Sequence, residues 1–289
     1  MSRAYLQAAA AGLGALCLLA LTEINAEALG ITALWGAANG VQAALLVIYL
    51  QDAVHFYVDE GNFVEGILKL RAEPHIKLLG PFNWIAAFTW TYPYMQYAAV
   101  DIFGANLLAL RWVSAALGTL TIPAVYALAR ALFNRRVALL AALLLAVFPP
   151  HIHFSRLGLN NIADPLFGTL ALAFLTRGMK GGTRADYALA GVCLGLTQYF
   201  YEGGRLLFPA LALGWAGMGL LLWRARLRGL LVTGLLALAL AAPVYLTLAS
   251  WDIPLAARLN RQALPPEYWT ALLLSGGDSG VMGAYVRDQ

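Results

Sequence analysis

Eight stretches of this chain are apolar over the length of a membrane crossing or close to it: 6–23, 31–50, 105–133, 136–153, 163–178, 186–201, 205–223 and 229–250. A helix needs about 20 such residues to cross the hydrocarbon core. Inside that core every backbone amide must be paired within the protein, which leaves helices or a closed barrel. Barrel strands need only about ten residues of alternating polarity, and these runs are continuous. The expected fold is an all-α polytopic membrane protein of about seven to eight spans. Composition agrees: 12% of the 289 residues are charged and mean hydropathy is +0.70, whereas a soluble domain is about one-quarter charged.

The polar residues are few, and their placement is informative. Basic clusters fall at Arg130/Arg135/Arg136, Arg177/Lys180/Arg184 and Arg224/Arg226/Arg228, at alternate ends of successive runs. The positive-inside rule then makes those ends cytoplasmic and the others external. The net charge of +4 is spread over these short clusters, so no basic tract suits nucleic acid. Cys17 and Cys193 both lie within apolar runs and read as buried thiols. The start resembles a signal peptide with "AEA" at Ala26–Ala28, but the second apolar run follows at once and favours a retained helix.

One membrane domain, 1–289, is expected. Its first external loop covers 52–104, its helical bundle 105–250, and an external tail 251–289 that reads as a loop cut short. Within the first loop, 81–103 carries Trp84, Trp90, Tyr92, Tyr94 and Tyr97, rings that prefer the headgroup level, and reads as an interfacial amphipathic helix.

Four polar groups call for explanation, because a charge at membrane depth faces a cavity or a partner. Asp59–Glu60 follows "HFYV", with His55, Phe56 and Tyr57 at the headgroup boundary. The pair suits a general base or a divalent-cation ligand, and equally a solvated helix start. "PPHIHFSRLGLNNIADP" opens with prolines that end a helix. It then supplies His151, His153, Arg156, Asn160, Asn161 and Asp164, an anion-binding set or a solvated loop. The His-x-His pair lacks the further ligands a zinc site needs. "QYFYEGGR" sets Glu202 and Arg205 beside Tyr199 and Tyr201, suiting a phosphate and a sugar face, or an internal salt bridge. Asp101 and Arg111 read as structural, Arg111 snorkelling or pairing with Asp101.

Taken in order, these motifs resemble those of the polytopic GT-C glycosyltransferases, nearest the protein O-mannosyltransferase and aminoarabinose transferase group (glycosyltransferase family 39-like). The resemblance rests on "DE" in the first external loop, the aromatic stretch ending in "FG" before "LRWVSAALGTLTIPAVYALARALF", then "PPHIHFSRLGLNNIADPLF" and "GLTQYFYEGGRLLFP". It runs from Phe56 to Pro209, with the helix to Ser250 fitting by pattern. It implies a polyprenyl-phosphate sugar donor and inverting transfer on the outward face of a bacterial-type inner membrane. Asp59 is then the general base or metal ligand, with Glu60 beside it and Asp164 as second acid. Arg156 and Arg205, with His151 or His153, would hold the donor phosphate. Tyr199, Tyr201, Glu202, Asn160 and Asn161 would line the substrate. A divalent cation (Mg or Mn) on Asp59 and Asp164 is open, as is the acceptor (protein, lipid or glycan). An ion- or proton-coupled transporter and a non-catalytic remnant are the competing expectations. Against the transporter stands the gathering of polar residues at one face, because transporter sites lie near the midplane.

Overall fold

The computed structural model describes residues 58–250 apart from 74, 77, 81, 83–88 and 224–225, with Val58 described by its backbone alone. The runs expected at 6–23 and 31–50, the boundary residues His55, Phe56 and Tyr57, Trp84, Arg224 and the tail from Trp251 lie outside the described residues. Helices account for nearly all of what is described: α1 (Val58–Ala72), α2 (Thr91–Phe103), α3 (Leu107–Leu132), α4 (Arg135–Ala146), α5 (Pro149–Ser155), α6 (Ala163–Met179), α7 (Arg184–Leu196), α8 (Glu202–Leu222) and α9 (Leu227–Ser250).

Local chemistry sets the helix ends. Asp59 and Glu60 lie in the first turn of α1 and Lys69 and Arg71 in its last, each sign at the favourable end of the helix dipole. Asn106 and Asn134 cap α3 and α4 by accepting from the amides of Ala109 and Val137. Thr183 and Asp186 form a capping box at the start of α7. Between α2 and α3 the chain turns at Gly104 with φ +87°, a conformation other residues rarely take.

The prolines at 149 and 150 begin a helix instead of ending one. They occupy the first positions of α5, where an absent N–H goes unmissed. The break itself falls at Val147–Phe148, and α4 and α5 are bent by 59° across it. Likewise the span expected from 205 starts at Glu202, so Glu202 and Arg205 belong to the first turn of α8. α3, α8 and α9 are long and apolar enough to cross a membrane, and the bent α4–α5 pair is a fourth if it counts as one span. The expected runs at 163–178 and 186–201 appear as the 17-residue α6 and the 13-residue α7.

α3 is the central helix, packed by α2, α4, α5 and α6. α6 carries α7 and α8, and α9 lies along α7, while α8 and α9 scarcely touch. Both leave leucines exposed, including Leu213 and Leu221 on α8 and Leu235 and Leu238 on α9. Such surfaces suit lipid chains, not water. At one end of the bundle Lys180 Nζ donates to the carbonyls of Ala131 and Leu132 and sits 4.8 Å over the Trp223 ring. The ends of α3, α6 and α8 therefore gather together, with Arg130, Arg177 and Lys180 at this end. The opposite end carries acids and arginines together, Glu60 with Arg111 among them.

Candidate functional site at the polar end of the bundle

Successive residues of a helix point about 100° apart, and α1 uses this to split its acid pair. Glu60 turns inward and is fully buried, whereas Asp59 is exposed. Arg111 of α3, also fully buried, grips Glu60 with a two-pronged ion pair: Nε to Oε1 and Nη2 to Oε2, both 2.7 Å. The Gly158 amide adds a third bond to Oε1, also at 2.7 Å. Gln96 of α2 donates to the carbonyls of Leu110 and Gly158 beside it. Arg111 thus pairs with Glu60, and the expected Asp101 partner is exposed instead. A guanidinium in an apolar bundle needs a buried planar anion that meets it at two points, which Glu60 supplies.

The loop 156–164 joins this knot to the rest of the polar end. Ser114 donates to the Leu159 carbonyl and is hydrogen-bonded to the Tyr92 hydroxyl, whose pKa burial raises above the usual phenol value. Asn160 donates to the Phe200 carbonyl at 2.6 Å, and Thr89 to the Tyr199 carbonyl at 2.9 Å. Asp164 is buried with its carboxylate set against the backbone amides of Tyr201 and Gly204, although neither oxygen meets a donor at full hydrogen-bond geometry. A Cβ on Gly204 would overlap that carboxylate, so only glycine lets α8 approach so closely.

Arg205 is buried and donates from Nε to the Gln198 carbonyl at 2.8 Å. Tyr245, Glu202 and Asp164 all lie within electrostatic reach of its guanidinium. Tyr245 donates to Gln198 Oε1 at 2.6 Å, and Gln198 donates to Thr197. Tyr199 spends its hydroxyl on the Leu240 carbonyl, tying α9 to the end of α7. Tyr201 is partly exposed at the start of α8. Arg156 is half-buried at the end of α5, and Asn161 holds a buried Oδ1 with no hydrogen-bond partner among the described residues. His151 is buried with Nε2 on the Gly118 carbonyl, 3.0 Å away, and His153 is exposed beside the Phe154 ring.

The structure therefore brings Asp164, Glu202 and Arg205 together and links them through loop 156–164 to Glu60. α6 and α8 both begin at this end, with Asp164 and Glu202 in their first turns. No three His, Cys, Asp or Glu residues form a metal-binding group among the described residues. Asp59 offers its carboxylate at the surface and Asp164 from the interior. Gln198 and Tyr245 were missed by sequence reasoning; their signal is a polar residue interrupting an apolar run. A cavity of about 450 Å³ lies between α7, α8 and α9, with Gln198, Arg205 and Tyr245 at its polar end.

A helical membrane bundle with its basic loops at one end and an Arg- and acid-lined site at the other defines the class. The chain belongs to the dolichyl-phosphate-mannose-protein mannosyltransferase family, whose model matches residues 89–247. That membership makes it a membrane glycosyltransferase of the mannosyltransferase type. The matched stretch contains Arg111, Arg156, Asp164 and Arg205, whereas Asp59 and Glu60 precede it. No curated protein and no solved structure matches the chain.

Proposed function

We infer that the protein transfers a sugar from a polyprenyl-phosphate donor to an acceptor hydroxyl at the polar end of the bundle, with inversion at the anomeric carbon. One observation carries the assignment of roles. Of the carboxylates that the resemblance assigns to the site, Glu60, Asp164 and Glu202 are buried and Asp59 is exposed. A general base must reach its substrate, and Asp59 is the carboxylate that can.

Asp59 accepts the proton of the acceptor hydroxyl as that oxygen bonds to the anomeric carbon. The bond from that carbon to the phosphate oxygen breaks, and the electron pair leaves with the polyprenyl phosphate. Arg205 and Arg156 hold the phosphate charge, Asp164 and Glu202 orient Arg205, and the start of α8 adds its dipole. His153, Asn161 and Tyr201 keep the donor and sugar roles that the family resemblance implies. His151, Asn160 and Tyr199 act at one remove, through the backbone bonds that set the site's walls. The basic loops at the opposite end support an outward-facing orientation of the site. A Mg²⁺ or Mn²⁺ ion, held by Asp59 or Asp164 together with donor phosphate oxygens, belongs to the same reading.

The test is sugar transfer from polyprenyl-phosphate mannose in liposomes by wild type and by Asp59→Asn, each with EDTA and with Mg²⁺ or Mn²⁺ restored. Loss of a general base costs on the order of 10²–10⁴ in rate. Undiminished transfer by Asp59→Asn would sink the assignment, and transfer indifferent to EDTA would remove the metal.

A further inference from the structure

The carbonyls of three consecutive residues after α7, 198–200, are each claimed by a different element. Arg205 of α8 donates from Nε to Gln198, Thr89 donates to Tyr199, and Asn160 of loop 156–164 donates to Phe200, at 2.8, 2.9 and 2.6 Å. Carbonyls beyond a buried helix end need partners of this kind. Gln198 also engages α9. Its side-chain oxygen accepts from the Tyr245 hydroxyl at 2.6 Å, and its side-chain nitrogen donates to Thr197 Oγ1 at 2.8 Å. Gln198 and Arg205 are each 4% exposed, so both ends of the carboxamide are matched where a missing partner is costly. Because α8 and α9 scarcely touch, the link from α9 to Arg205 runs through this polar chain and not through packing.

These bonds constrain a planar group. A guanidinium carries its five donors in one rigid fork. With Nε committed to the Gln198 carbonyl, the plane of the Arg205 fork is set and its Nη edge is aimed. The Gln198 carboxamide belongs to the same residue as that carbonyl, so its oxygen, if released, would compete for the guanidinium. Tyr245, within electrostatic reach of Arg205, holds that oxygen instead. We propose that Gln198 and Tyr245 are positioning residues that keep the Arg205 fork turned to a lipid-borne phosphate, so that α9 takes part in donor recognition through Arg205. The proposal rests on the polyprenyl-phosphate reading above and adds the residues that aim its cation.

The experiment measures binding of undecaprenyl phosphate and of undecaprenol to the full chain in phosphatidylcholine nanodiscs, together with Tm. The ratio of the two affinities is the phosphate preference. Tyr245→Phe removes one hydroxyl and keeps the ring. Arg205→Lys keeps the charge but loses the planar fork and its Nε donor. Thr233→Val deletes the hydroxyl that donates to the Tyr187 carbonyl, another α9–α7 bond about 18 Å along α9 from Tyr245, and is the control. Tyr245→Phe is expected to lower the phosphate preference roughly fivefold, the size of one ordinary hydrogen bond, with undecaprenol binding unchanged. In an Arg205→Lys background the same substitution should add nothing, because its effect passes through the fork. Thr233→Val should leave the preference at the wild-type value. An unchanged preference in Tyr245→Phe overturns the positioning roles, and a lowered one in Arg205→Lys alongside it leaves the donor reading intact. Losses that multiply in the double variant, or equal weakening of both probes with a lowered Tm, overturn those roles too. A wild type that binds both probes equally overturns the proposal together with the donor reading.

Discussion

Replacing Glu60 with Gln separates structure from catalysis within the acid pair. Gln keeps an oxygen for the Gly158 amide but strips the charge opposite Arg111, and its amide N–H₂ meets a second donor where Oε2 stood. Both partners are fully buried and their two bonds are 2.7 Å long. Breaking a buried pair on one side costs about 3–5 kcal/mol, because the surviving charge is left uncompensated. At about 2–4 °C per kcal/mol for a protein of this size, the Tm falls by roughly 10 °C. Thermal unfolding of detergent-solubilised protein measures it. Glu60→Met with Arg111→Met removes both charges and leaves the Gly158 amide short of an acceptor, about 1–3 kcal/mol. The double variant should therefore recover roughly half the loss. A Glu60→Gln Tm within about 2 °C of wild type, or a double variant no more stable than the single, refutes the reasoning. Transfer activity lost at an unchanged Tm would move Glu60 into the chemistry beside Asp59.

Gly204→Ala drives a methyl into the Asp164 carboxylate and should cost about 1–3 kcal/mol of overpacking, less up to about 1 kcal/mol of helix propensity returned. Adding Asp164→Ala should restore the Tm, and failure to do so would place the clash elsewhere. A cysteine at the exposed Asn62 should react with an impermeant thiol reagent in intact cells; protection until lysis would reverse the topology.

The basic end of the bundle was legible early, because charge at membrane depth is costly enough that Lys and Arg clusters collect at helix ends. The gathering of Asp164, Glu202 and Arg205 follows from the same alternation. Arg111 shows where sequence reasoning stops. Asp101 is ten positions away and Glu60 fifty-one, yet the choice depends on which faces of α1 and α2 meet α3, and hydropathy does not carry that. Gln198 and Tyr245 escaped notice because single polar residues within apolar runs read as tolerated exceptions until their mutual bond is seen. The prolines at 149 and 150 have two local meanings, a stop and a start, and the packing of α5 on α3 selects the second.

The contact of α8 with α6 has a metric consequence. It is keyed at three heights: Asp164 into Gly204, Phe208 into Gly168 and Met179 into Gly219. Three keys along one contact make a vernier. Sliding α8 by one residue, about 1.5 Å, would misalign all of them at once. The height of Arg205 above the α6 floor is thereby a fixed dimension of the protein, not an adjustable one. In the proposed reaction, a lipid-borne phosphate held by Arg205 would bring its sugar to the same level on every turnover, and the bundle would act as a gauge for where the glycosidic bond is presented.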